Sequence, residues 1–118
     1  MTFDVEIVLR ERNYAVTERI EHAGGTPAEW TDDDIEQVLK KILLAIDRVK
    51  NPAAAARYVA LRGFSWIVEP IAQGGVVIAI EIPTGAAVAG PFDADRGALD
   101  RAITRVLAKA APVKPVIH

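Results

Sequence analysis

The chain has 118 residues, a formal net charge of −2, no cysteine and 51% hydrophobic residues. That length supports one hydrophobic core, since two would each be too small to stand alone, and the absence of cysteine excludes disulfides, thiolate nucleophiles and cysteine-ligated metal centres. The slight negative charge removes the broad pull toward phosphate on which nucleic-acid binders rely, so nucleic acid is a poor partner for this sequence.

The chain opens Met1-Thr2-Phe3-Asp4-Val5-Glu6, with acids where a secretory leader needs a basic start. The longest strongly apolar run, Val76 to Ile80, falls far short of the roughly 20 residues that span a bilayer. The expectation is a cytoplasmic protein with no membrane partner.

From Phe3 to Arg12 the side chains alternate, Phe3, Val5, Ile7 and Leu9 against Asp4, Glu6, Val8 and Arg10, which predicts a half-buried strand. Tyr14 to His22 repeats the period, Tyr14, Val16 and Ile20 against Thr17, Arg19 and Glu21, so the two predict a hairpin turning near Arg12-Asn13. Ala23 to Pro27 breaks regular structure. Thr31 can cap a helix while Asp34, three residues on, reaches back, and Trp30 with Ile35 makes the matching hydrophobic staple. Ile35, Val38, Leu39, Ile42, Ile46 and Val49 then recur at helical spacing as one apolar stripe.

Asn51-Pro52 ends that helix and can start a second over Ala53 to Arg62, with Gly63 as its stop. Phe64 to Pro70 and Val76 to Ile82 read as strands joined through Gly74-Gly75, Ala86 to Ala89 as a short strand, and Asp93 to Ala110 as the last helix after a break at Gly90-Pro91. Together these elements predict an α+β fold: an antiparallel sheet of four to five strands with helices packed mainly on one face, in the order β-β-α-α-β-β-(β)-α. Residues 1–111 form the single domain and 112–118 a loose tail.

Few residues invite chemistry. Gly24-Gly25 and Gly74-Gly75 lack the spacing of phosphate-binding loops and read as turns. Asp32-Asp33-Asp34 point about 100° apart around one helical turn, which suits a helix N-terminus better than a metal, and no metal or other cofactor is expected. His22 and His118 have no sequence neighbour that would make a triad or a zinc site. Trp66 alternates with Phe64 and Val68 and reads as core, and the cations Lys40, Lys41, Arg48, Lys50, Arg57 and Arg62 read as solvated surface.

Glu81 interrupts an otherwise apolar strand, on the side carrying Val77 and Ala79. One reading makes Glu69 and Glu81 the border of a small pocket, as acid, base or ligand anchor, with Arg62 as an anion partner. The leading reading is a non-enzymatic interaction or assembly module that pairs as a homodimer. It rests on the sheet face carrying Ile67, Val77, Ala79 and Val88, which stays wet if the helices pack opposite, and secondarily on Leu44, which falls among Gln37, Lys40, Lys41 and Arg48.

Overall fold

Apolar residues at every second position fold the first segment as strand β1, Thr2–Leu9, whose Phe3, Val5, Ile7 and Leu9 are all buried. The computed structural model describes residues 1–53 and 59–110. After β1 come β2 (Ala15–Glu21), a 3₁₀ turn (Pro27–Glu29), helix α1 (Asp32–Lys50), β3 (Ser65–Pro70), β4 (Val76–Ile82), β5 (Gly85–Phe92) and helix α2 (Arg96–Ala110). The strands form one sheet in the order β2-β1-β5-β4-β3, with every neighbouring pair antiparallel. This is the α+β architecture expected from the sequence.

The last strand of the β3-β4-β5 meander docks against β1, so the two edge strands are β2 and β3. Both helices lie on the face that carries Val5, Ile7, Val68, Ile78, Ile80, Ala87 and Ala89, and close it with Ile35, Leu39, Ile42, Ile46, Leu99, Ile103 and Val106. Each such branched side chain taken from water contributes about 1.5–3 kcal/mol, so this layer is where the fold gains its stability.

Helix α1 begins as its sequence predicts. Thr31 Oγ1 accepts from the Asp34 backbone N–H at 3.2 Å, and Asp34 Oδ2 accepts from the Thr31 N–H at 2.9 Å. Its buried surface is wider than the predicted stripe and adds Leu43 and Ala45. For Ala45 the cause is tertiary: Lys41, Ala45 and Arg48 share one flank at helical spacing, and that flank leans over β2. There Lys41 Nζ donates to the Glu21 carbonyl at 2.8 Å and Arg48 Nη2 to Glu18 Oε1 at 2.7 Å. These two cations are therefore tethers, not free surface charge.

Three boundaries differ from expectation. Tyr14 belongs to the turn before β2 and is exposed, so it adds nothing to the core. Strand β5 runs on through Gly90-Pro91, where the sequence suggests a break: Val76 pairs with Phe92 and Ile78 with Ala89, leaving Gly90 and Pro91 opposite the single residue Val77. That is a β-bulge, made possible by glycine at φ 135°. The middle of the expected Ala53–Arg62 helix, with Arg57, lies outside the described residues. Of its ends, Pro52-Ala53 form a turn and Val59 to Arg62 are irregular. The tail from 112 on also lies outside the described residues.

Candidate interaction face

Among the described residues, helices cover one side of the sheet only, and the pairing register lays out the other side residue by residue. One row across the strands reads Thr17, Glu6, Val88, Ala79 and Ile67, from β2 to β3. The row toward one end reads Ala15, Val8, Ala86, Glu81 and Ser65, and Asp4 with Arg19 and Glu69 with Val77 stand in the row toward the other. Val88, Ala79 and Ile67 thus make an unbroken apolar stripe over three strands, extended by Val8, Ala86 and Val77. Ile67 is 45% exposed, Val8 42% and Val88 41%, the largest branched side chains left in water among the described residues.

The shape follows from composition. Central strand β5 offers this face only Ala86, Val88 and Gly90, so it lies low between β1 and β4. A shallow depression results, lined by Ser65, Ile67, Ala79, Glu81, Ala86 and Val88. It is open to solvent, and its polar side chains are Ser65 and Glu81, paired across β3–β4.

Carboxylates border the stripe. Glu6 stands beside Val88 across the β1–β5 ladder, Glu81 beside Ala86 across β4–β5, and Glu69 beside Val77 across β3–β4. All three are exposed, and none has an ion-pair partner among the described residues. The basic residue within the rows, Arg19, is held by Asp4 at 3.3 Å. Beyond the end of the rows Arg10 lines a second hollow with Ser65 and Glu81.

The structure brings Ile67, Val77, Ala79 and Val88 together as the sequence suggests. It separates the other candidates. Glu69 and Glu81 share the open face but stand four residues apart along the β3–β4 ladder, roughly 13 Å at strand spacing, too far to act on one atom. Only Glu81 lines the depression. Arg62 is exposed and does not line the hollow beside Glu81. Leu44 lies half-buried on α1, in the helix layer, and is not continuous with the sheet face.

One polar constellation escaped sequence reasoning. His22, the buried polar residue of the described core, sets Nε2 at 2.9 Å from Asp34 Oδ1 and Nδ1 at 3.4 Å from Lys41 Nζ. An ammonium only donates, so Nδ1 accepts from it and Nε2–H donates to Asp34. The ring also meets Trp30 edge-on at 5.8 Å, and Trp30 in turn packs at 5.3 Å on Phe92. The Thr31 backbone N–H, and after it the His22 hydrogen bond, hold the Asp34 carboxyl below the usual aspartate range. Although this resembles part of a catalytic relay, the imidazole side chain is 1% exposed and both ring nitrogens are already hydrogen-bonded. Its work is to fasten β2, the glycine turn and the start of α1 to one another.

A second charged cluster joins the helices. Arg105 Nε and Nη2 donate to the Asp32 carboxylate at 3.0 and 2.6 Å, and Lys109 Nζ at 2.8 Å. The Arg105 guanidinium, then the Lys109 ammonium, hold the Asp32 carboxyl far below the ordinary carboxylate range. Asp32 and Asp34 therefore act at the helix terminus, in keeping with the structural reading of the Asp32-Asp33-Asp34 run. Among the described residues, no three His, Asp or Glu side chains converge as a metal site would require. Compared with protein-family models, curated proteins and solved structures, the chain matches none.

Proposed function

We propose that this chain is a non-enzymatic protein-interaction module that works through the helix-free face of its sheet, a second copy being the occupant. The observation that carries the reading is the register-aligned stripe Val88, Ala79 and Ile67, apolar and uncovered in the centre of that face. A two-fold axis lying along this row sets each of the three, and Glu6 at the end of the row, against its own copy, and leaves Glu69 and Glu81 to either side. An isologous pair needs no second surface, so one patch suffices. The edge strands are less suited: β3 ends at Pro70, and β2 carries Glu18, Arg19 and Glu21.

The stripe is small beside the roughly 800 Å² per partner that a standard interface buries, so the pair is a weak one that forms at micromolar concentrations and above. Sedimentation equilibrium tests this directly. Wild type is expected to show a monomer–dimer equilibrium, while Val88→Lys and Ile67→Lys, each with unchanged circular dichroism, stay monomeric. Leu44→Lys, on the helix layer, should dimerise as wild type does. A wild type that is monomeric throughout, or lysine variants that dimerise normally, would overturn the proposal.

A further inference from the structure

We infer that the carboxylates around the stripe select the partner: the helix-free face pairs more tightly with a protein surface that sets Lys or Arg around an apolar strip than with its own copy. This rests on the docking reading above. Glu6 and Glu81 stand on the two strands that flank β5, two residues apart in level, so roughly 12 Å separates them, with Val88 and Ala86 between. A group seated over Val88 and Ala86 lies within about one Debye length, near 8 Å at physiological salt, of both. Glu69 adds a third charge beside Val77.

None of these three carboxylates has an ion-pair partner among the described residues, and Arg19 is already engaged by Asp4. In a self-pair, three carboxylates from each copy crowd around one small apolar centre, an arrangement that opposes the gain from burial. Partial burial worsens it, because a carboxylate that leaves water without a cation loses hydration and gains nothing in return. A partner with cations in the matching places reverses the sign of the same terms. Acidic partners and phosphate-bearing surfaces are turned away by the same rim.

The chain itself supplies the probe. The double variant Glu6→Lys/Glu81→Lys keeps the stripe and inverts its border, so mixing it with wild type offers three pairs: two like and one opposite. Fluorescence transfer between labelled copies would be followed at 50, 150 and 500 mM NaCl. The mixed pair is expected to be at least ten-fold tighter than the wild-type self-pair at 50 mM, and to weaken with salt while the self-pair strengthens. Equal, salt-insensitive affinities for all three pairs would overturn the charge selection and leave the docking face standing. Absence of any association, in every combination and at every salt, would overturn the docking reading and this inference with it. Glu6→Gln/Glu81→Gln removes the charge without inverting it and guards against a misfolded lysine variant. Its self-pair should be tighter than that of wild type at 50 mM and depend less on salt, since only Glu69 of the rim stays charged, and a self-pair indistinguishable from wild type would refute the role of the rim.

Discussion

Gly24 is held to its identity by two side chains. A Cβ there would stand 2.6 Å from both Asp34 Oδ1 and His22 Nε2, well inside contact distance. The carboxylate is fixed by the helix cap and the imidazole is buried against Trp30, so neither can retreat without breaking a hydrogen bond. Gly24→Ala should therefore lower stability by about 1–3 kcal/mol, the range of an overpacked site, and urea unfolding with an unchanged midpoint would contradict this account. The sequence shows a glycine turn and a histidine beside it but not the reason for either. His22 finds its partner twelve residues later, beyond a 3₁₀ turn, and that meeting depends on how β2 is laid against α1. The cap itself was legible, because Thr31 and Asp34 are local to one turn and need only helix geometry to meet.

Among whole elements, the same divide separates local from tertiary causes. Strand β4 and the start of α1 agree with sequence periodicity because each encodes its own face, whereas the full length of β5 depends on β4 tolerating a bulge at Gly90-Pro91. The burial of Leu43 and Ala45 likewise awaits the neighbours that cover them, and strand order has no local signature at all. The open face was legible in outline, since parity alone puts Ile67 and Val77 on the side opposite Val68 and Ile78. Its acid border was legible at Glu81 but not at Glu6, which reaches the stripe only through the pairing of β1 with β5. Trp30 is where an element is joined to the rest: its indole Nε1 donates to the Gly25 carbonyl at 3.1 Å, and its ring spans His22 and Phe92. Trp30→Ala should cost about 1–3 kcal/mol. Thr31→Ala, which removes only the cap oxygen, should cost about 0.5–2 kcal/mol. Both are read from denaturant midpoints, and neither should shift the monomer–dimer equilibrium measured where the fold is intact. A change in that equilibrium would place the α1 start in the interface instead.

At the scale of the whole molecule, acid should loosen the fold from one end. Asp34, which caps α1 and holds His22, and Asp32, which ties α1 to Arg105 and Lys109 of α2, are both held below the ordinary aspartate value of 3.8. Depressed carboxyls contribute stability that is fully present above that value, and lose it as pH falls toward their own lower values. Thermal midpoints should thus be flat with respect to these two groups from neutrality down to about pH 5, and fall as pH drops through 4 toward 2. Asp32→Asn keeps the shape and one hydrogen-bond acceptor but removes the charge that Arg105 and Lys109 share. It should be less stable than wild type at pH 7 and lose less on acidification, so that the two curves converge at the acid end. Parallel curves from pH 7 to pH 2.5 would show that the Asp32 clamp adds nothing to the docking of the helices. Asp34→Asn should flatten the acid limb in the same way and also release the His22 ring, visible as a shifted imidazole resonance that Asp32→Asn leaves in place. Because the clamp and the cap lie in the helix layer, opposite the open sheet face, each variant should retain the self-pairing of wild type at neutral pH.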